Sequence, residues 1–347
     1  MRIMVTGGAG FIGSALVRHL VLERGDQVCT IDKLTYSGSV ANLDAVEASP
    51  LHELVELDIC DGPAVREVML DFRPDAVLHL AAESHVDRSI DGPEVFVRTN
   101  VLGTCNMLQA ALELHRGSSG GLRFVHVSTD EVFGSLGESG YFLEDDPYQP
   151  NSPYSATKAG ADHLARAWHV TFGLPVVVTN CSNNYGPRQF PEKLIPLTIL
   201  NGLAGRACPV YGDGRQVRDW LFVEDHVTGL VLAMEKGVPG RSYNFGGRAE
   251  RRNIEVVRAV LESVADCSGK SRSELLDLIE FVSDRPGHDR RYAIDPTRAE
   301  SELTWHTSVD FEEGIQRTVR WYLDNREWCE AMSRRYGGDR LGKAGVA

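Results

Sequence analysis

The sequence predicts an α/β fold: a doubly wound parallel sheet with a smaller C-terminal substrate-binding lobe. Three observations carry that expectation. Short apolar runs alternate with helical stretches through the first 180 residues. Several of these runs are unbroken Val/Ile/Leu, as strands covered on both faces require. The first run also leads straight into a glycine-rich turn and an amphipathic stretch, the strand–turn–helix order of a nucleotide-binding unit.

Taken in order, strands are expected at 2–6, 27–31, 53–57, 76–80, 124–128 and 175–179, with helices at about 11–23, 62–71, 93–115 and 153–172. After Cys181 the segments shorten and gain Pro and Gly, with helices expected at 192–202, 223–236, 253–265 and 311–325. This divides the chain into a dinucleotide domain with the catalytic helix (1–180), a lobe mainly for substrate (181–330) and a mobile tail (331–347).

Composition excludes several classes of partner. Against 36 Lys plus Arg stand 49 Asp plus Glu, a formal net charge of −13. That surface repels nucleic acid and anionic membrane, and leaves room for a local basic pocket around a phosphorylated small molecule. No apolar run approaches the ~18 residues of a membrane span, and the start enters a glycine motif too soon for a signal peptide. The seven cysteines are scattered with no C-x-x-C. That pattern fits reduced thiols in a cytoplasmic protein and no metal site.

The glycine turn reads Thr6-Gly7-Gly8-Ala9-Gly10-Phe11-Ile12-Gly13-Ser14. Gly8, Gly10 and Gly13 meet G-x-G-x-x-G, and Gly7, Gly10 and Gly13 meet G-x-x-G-x-x-G. Such a turn brings backbone close to a pyrophosphate at a helix N-terminus, the Rossmann-like arrangement. Asp32, at the end of the second strand, suits the adenosine ribose and repels a 2′-phosphate, so NAD is expected over NADP. Lys33 is the dissenting residue. Asp58, Ala81 and Ala82 follow the third and fourth strands and border the same ligand.

The chemistry is expected on two segments. Ser152-Pro153-Tyr154 opens a helix in which Tyr154 and Lys158 share one face. A nearby ammonium would draw the phenol below its usual range, making Tyr154 a base for a hydroxyl proton as hydride leaves the same carbon. At the end of the fifth strand, Thr129-Asp130-Glu131 sets two carboxyls where ligands bind, and such neighbours divide into one acid and one base.

With these motifs in hand the chain resembles the extended short-chain dehydrogenase/reductases, and more narrowly the dTDP-glucose 4,6-dehydratases. The resemblance rests on TGGAGFIGS (6–14), HLAAESHVDRSI (79–90), STDEVFG (128–134) and NSPYSATKA (151–159). It continues through SNNYGP (182–187), PEKLIP (191–196), YGDG (211–214), RDWLFVEDH (218–226) and DRPGHD (284–289), and spans residue 1 to about 328. It departs from the family pattern at Leu57, Phe133, Asn180, Cys208 and Arg252.

The resemblance implies a redox-neutral dehydration. Tyr154 and Lys158, with Thr129 on the 4-hydroxyl, oxidise the hexose at C4. Glu131 then takes the C5 proton, Asp130 protonates the departing C6 hydroxyl, and hydride returns to C6. It also implies NAD contacts from Phe11, Ile12, Leu34, Ile59, Leu80, Thr99, Ser128 and Cys181. The substrate would meet Ser84 and Asn183 on the hexose or diphosphate side, and Glu192, Lys193, Leu194 and Pro209 to Tyr211 around the nucleotide. Arg218, Asn253, Arg285 and His288 would hold diphosphate and base. A homodimer through a four-helix bundle of segments 93–115 and 153–172 is implied as well. A sugar-nucleotide 4-epimerase, a GDP-mannose 4,6-dehydratase and an idle NAD-sensing regulator are the competing readings; each lacks a need for one or more of Tyr154, Lys158, Asp130 and Glu131.

Overall fold

The structure, a computed structural model, describes residues 1–117, 121–284 and 287–337. The first part of the chain forms β1 (Arg2–Thr6), α1 (Phe11–Arg18), β2 (Gln27–Asp32), β3 (His52–Glu56), α2 (Gly62–Phe72), β4 (Ala76–His79), α3 (Val86–Asp91) and α4 (Pro93–Phe96). A π-helical stretch, Val97–Gly103, joins α4 to α5 (Thr104–Gly117), and β5 (Arg123–Thr129), α6 (Pro153–Phe172) and β6 (Val176–Cys181) follow. The six apolar runs thus become the six strands, with ends moved by only a few residues.

These strands and β10 (Ser242–Phe245) make a seven-stranded sheet in the order β10-β6-β5-β4-β1-β2-β3, with every pairing parallel. The chain reverses direction across the sheet between β1 and β4, where Thr6 pairs with His79. A crevice opens at the carboxyl ends of such a pair. Two apolar layers cover the sheet. Leu16 and Leu20 after β1 pack with Val227 and Leu230 on one face. Met69, Leu108, Ala111 and Ala165 fill the other.

The later chain adds β7 (Asn183–Tyr185), α7 (Leu194–Ala204), β8 (Cys208–Tyr211), β9 (Val217–Phe222), α8 (Val223–Lys236), β10 (Ser242–Phe245), β11 (Glu250–Arg252) and α9 (Asn253–Ser268). It ends with α10 (Arg272–Leu276), β12 (Ile279–Val282), α11 (Phe311–Asp324) and α12 (Arg326–Tyr336). A three-stranded β11-β9-β7 sheet and a β12-β8 pair enclose a third core with Ile199, Val257, Leu261, Ile315 and Val319. The chain does not leave the large sheet for good at residue 181: α8 lies on its face and β10 extends its edge along β6.

The expected mobile tail needs correction over its first residues. Residues 331–336 are the second half of α12, where Cys329 and Met332 are buried on one face. Trp328 Nε1 donates to Asn42 Oδ1 at 2.8 Å and Arg335 donates to the Thr35 carbonyl at 2.8 Å, so this helix ties back to the loop after β2. Residues 338–347 of that tail lie outside the described residues.

Candidate active site

The crevice at the switch point holds a cavity of ≈290 Å³. Its floor is the glycine turn. Gly7 takes φ +70°, and a Cβ there would sit 2.8 Å from the Ala81 nitrogen. A Cβ on Gly13 would sit 2.1 Å from the Gly7 carbonyl oxygen, so only glycine lets α1 start this close to β1. Gly10 caps α1 in extended conformation without a side-chain cap, which leaves the first-turn amides for an anion. This cradle fits a dinucleotide pyrophosphate.

Asp32 lines the cavity while bracing the turn. Its Oδ2 accepts the Ala9 amide at 3.0 Å and its Oδ1 accepts the Leu34 amide at 2.9 Å. Burial pushes its carboxyl up, and those two amides oppose the push. Lys33 is turned toward carboxylates: its Nζ lies 3.5 Å from Glu83 and 3.8 Å from Asp58, and donates to Thr99 Oγ1 at 3.2 Å. That cation is therefore already matched by negative charge, which removes the objection to an unphosphorylated ribose.

Of the residues expected at the cofactor, Gly7, Gly10, Phe11, Ile12, Gly13, Asp32, Lys33, Ile59, Leu80, Ala81, Ala82, Thr99, Ser128, Tyr154, Lys158 and Cys181 line this one cavity. Leu34 and Asp58 stand outside its lining. Leu34 packs against the core, and Asp58 accepts the Cys60 amide at 2.9 Å.

The chemical end is built by β5 and α6. After Thr129 the chain makes a 3₁₀ turn, Asp130–Phe133, closed by Gly134 at φ +92°. Thr129 Oγ1 donates to Asp130 Oδ1 and accepts the Glu131 amide, both at 3.3 Å. Opposite, Ser152 caps α6: its Oγ accepts the Ser155 amide at 3.0 Å, and the Ser155 Oγ accepts the Ser152 amide at 3.1 Å. Pro153 takes the first helical position. This start aims Tyr154 and Lys158 into the cavity that Thr129, Asp130 and Glu131 also line. Asn100, in the π-helical stretch, steadies both sides. It accepts the Glu83 amide at 2.9 Å and donates to the Glu83 carbonyl and to Thr157 Oγ1 at 3.0 Å.

Asp130 has the surroundings that the sequence leads one to expect of an acid. Asp130 is only 2% exposed, and burial, then Glu131 and Asp219, push its carboxyl well above the ordinary range. Arg218 and the Thr129 hydroxyl oppose this. Asp130 Oδ2 has no hydrogen-bond partner among the described residues. Asp219, pushed up to about 6 by burial, is a contributor that motif reading missed.

The expectation for Tyr154 is not met in its direction. Burial first, then Glu131, pushes its hydroxyl well above the phenol range, with a Thr129 hydrogen bond opposing. The Lys158 ammonium donates to the Val127 carbonyl at 2.8 Å, and burial lowers its own pKa. Burial dominates here because the Tyr154 hydroxyl sits inside the wall of the cavity, and Lys158 is not among the charges acting on it.

The substrate residues divide. Ser84, Asn183, Glu192 and Lys193 line the first cavity beside Thr129, Asp130 and Glu131. Glu192 also borders a second cavity of ≈640 Å³, together with Pro209 and Tyr211. There the Tyr211 hydroxyl donates to Asp87 Oδ2 at 3.1 Å. Leu194, Arg218, Asn253 and His288 line neither. Leu194 starts α7 against the third core, and Asn253 starts α9, its amide on the Gln216 carbonyl at 2.9 Å. Arg218 is buried, its guanidinium 4.3 Å from the Tyr292 ring centre and donating to the Asp289 carbonyl at 3.0 Å. His288 Nδ1 lies 2.6 Å from Asp284 Oδ1. Arg285 lies outside the described residues. Motif reading missed Glu83, Ser182 and Asn184 in the first cavity, and His85, Asp87 and Tyr336 in the second. His85 and Asp87 stood within a quoted motif; Tyr336 carried no signal. No group of His, Cys, Asp and Glu suited to a metal occurs among the described residues.

Comparison with known proteins agrees with this geometry. Residues 4–318 match the family model described as GDP-mannose 4,6 dehydratase. A probable dTDP-glucose 4,6-dehydratase of Sinorhizobium fredii is 53% identical over 347 residues, 99% of each chain. A dTDP-glucose 4,6-dehydratase of Escherichia coli is 50% identical, again over 99% of each. Among solved structures, the dTDP-glucose 4,6-dehydratase DesIV of Streptomyces venezuelae with NAD and TYD bound superposes with TM-score 0.88 at 46% identity, covering 96% of this chain and 100% of its own. A UDP-glucose 4-epimerase of Thermus thermophilus in complex with NAD gives TM-score 0.82 at 31% identity, covering 94% and 100%.

Proposed function

The chain belongs to the dTDP-glucose 4,6-dehydratases, and from that premise we propose that it is an NAD-dependent hydro-lyase that converts dTDP-glucose to dTDP-4-keto-6-deoxyglucose and water. The observation that carries this reading is the buried Asp130 carboxyl beside Glu131, in one cavity with Tyr154 and Lys158. An epimerase shares the tyrosine and lysine but has no use for an acid–base pair next to them.

NAD, when bound, supplies a hydride acceptor at C4 and later the hydride donor at C6, so the cofactor ends unchanged. Gly7, Gly10, Gly13 and Asp32 would hold it. Thr129 orients the 4-hydroxyl toward Tyr154, and Tyr154 takes the hydroxyl proton. The new C4 carbonyl acidifies the C5 hydrogen, which Glu131 removes as a general base. Asp130, kept protonated by its surroundings, gives its proton to the C6 hydroxyl as water departs. As C6 regains hydride, Glu131 gives its proton back to C5, and the proton taken by Tyr154 replaces the one that Asp130 gave up, so every group ends as it began with the ketone left at C4. The second cavity, between His85, Asp87, Tyr211 and Arg206, would take the nucleotide.

The reading extends to assembly and compartment. Val97 and Leu102 on the helix after α3, and Val170 and Phe172 on α6, are exposed at 52%, 46%, 71% and 42%. Leu108, Leu112 and Ala161, expected in the bundle, are buried within the subunit. The exposed set supports a two-fold four-helix contact, which light scattering at micromolar concentration tests: a monomeric mass refutes it. No helix among the described residues is long and apolar enough to cross a membrane. All seven cysteines are free thiols, which supports a cytoplasmic site of action.

The activity is tested by incubating the purified protein with dTDP-glucose. Formation of a 4-keto-6-deoxy sugar without net NADH supports the reading. A 4-epimer, or NADH accumulating in step with sugar, refutes it.

A further inference from the structure

The helix bearing Tyr154 and Lys158 carries another charged group. Asp162 follows Lys158 by one helical turn and is 3% exposed. Strand β5 holds it. The Ser128 Oγ donates to Asp162 Oδ2 at 2.7 Å, and His126 Nε2 lies 3.0 Å from Asp162 Oδ1. His126 and Ser128 point to one face of the strand because they are two residues apart. Between them, the Val127 carbonyl accepts the Lys158 ammonium at 2.8 Å. Three consecutive residues of one strand therefore grip both the cation and the anion. His126 Nδ1 has no partner among the described residues, and burial and Lys158 hold the ring neutral, so Nε2–H is the donor to the carboxylate.

We propose that Asp162 is a positioning residue whose carboxylate, clamped on β5, keeps the Lys158 ammonium charged and fixed at the foot of Tyr154. This rests on the reading of Tyr154 and Lys158 as the pair that oxidises C4. A helix-to-sheet tie alone would need only hydrogen bonds at position 162. A carboxylate there does more, because a buried ammonium loses its hydration and needs an anion nearby.

Glu131 lines the same cavity but is not among the charges acting on Lys158, and the other titratable groups around it do not supply an anion. His79 on β4 and His126 on β5 are pushed toward the neutral ring by burial. Burial holds the Cys181 thiol on β6 and the Tyr154 hydroxyl on the same helix in their protonated forms. Tyr148, which hydrogen-bonds Asp162 from the loop before α6, is held protonated too. Burial lowers the Lys158 pKa, and Asp162 is the first charge opposing that fall.

The test is an NMR titration of protein labelled at lysine Nζ, with the Lys158 signal assigned by its loss in Lys158→Met. In Asp162→Asn, which keeps the shape and much of the hydrogen bonding, Lys158 should titrate lower by about one pH unit. Asp162→Glu should restore most of that. The alkaline limb of kcat should move down in Asp162→Asn by the same amount, with KM nearly unchanged. Ser128→Ala, which loosens the clamp on the carboxylate and keeps its charge, should lower the Lys158 titration by a smaller step, a measurement that serves even if Asp162→Asn fails to fold. An unmoved Lys158 in folded Asp162→Asn, or in Ser128→Ala where Asp162→Asn does not fold, overturns the proposal. A shifted Lys158 in a protein that makes no 4-keto sugar upholds the coupling and refutes the functional reading instead.

Discussion

The two cavities are made in contrasting ways. The one at the switch point is walled by strand ends and first helical turns: Gly7 after β1, Asp32 at the end of β2, Thr129 at the end of β5, Tyr154 at the start of α6. Hydrogen bonds to backbone and close packing hold these, and burial moves the pKa of Asp32, Asp130, Tyr154, Lys158, Cys181 and Glu192 there. The second cavity is stitched from α3, α7, β8 and the C-terminal end of α12, segments far apart in the chain. Across it Tyr211 and Asp87 meet side chain to side chain. Rigid neighbours in a desolvated wall can set charge and geometry for chemistry. A cavity of scattered side chains adds up binding from many partial contacts.

That contrast is testable, and the largest effect belongs to the first cavity. Tyr154→Phe should cut C4 oxidation by about 10³-fold, since it removes the group that takes the 4-hydroxyl proton. Single-turnover formation of bound NADH reads this step. An effect below tenfold would make Tyr154 a wall residue and erase the contrast.

The carboxyls come next. Glu131→Gln should still oxidise C4 but should not exchange the C5 hydrogen with solvent deuterium. Asp130→Asn should retain that exchange while water loss slows by about 10²-fold. Asp130 also makes a stability prediction. Its folded pKa is raised, so the folded state binds its proton more tightly than the unfolded chain does. That contribution is complete below the ordinary carboxyl value of about 4 and is lost as pH rises through the folded value. Asp130→Asn should therefore melt about 2–4 °C above the parent at neutral pH, with the gap closing toward pH 4. A variant less stable than the parent at neutral pH would show that Asp130 is paired, not strained.

Gly13→Ala sharpens the same point at the cofactor end. Its Cβ would meet the Gly7 carbonyl oxygen at 2.1 Å, so the turn must open. The expected result is purified protein with most of its NAD lost and stability reduced by about 2 kcal/mol or more, read by cofactor absorbance and denaturant titration. At the second cavity, Tyr211→Phe deletes one hydrogen bond to Asp87. It should raise KM about three- to tenfold with kcat nearly unchanged, in line with a net hydrogen bond of about 1 kcal/mol. A loss in kcat there would mean that the second cavity shares in the chemistry.

The sequence by itself determined the large sheet, because unbroken Val/Ile/Leu runs have no other burial than a two-sided parallel sheet. It also determined the glycine turn and the catalytic side chains of the first cavity. Gly7, Gly13, Tyr154 and Lys158 sit at short fixed spacings from strand ends and helix starts, and local geometry carries those spacings into space. Only the tertiary structure decided the rest. The short strands of the second lobe have too few residues to show a period, and β10 pairs with β6 across more than sixty residues of chain. Residues 331–336 read as mobile tail until the buried face of their helix meets the lobe and its Trp328 reaches Asn42. The direction of the Tyr154 shift was beyond the sequence for the same reason. Spacing puts an ammonium one turn away, but how much water each group loses depends on everything folded around it.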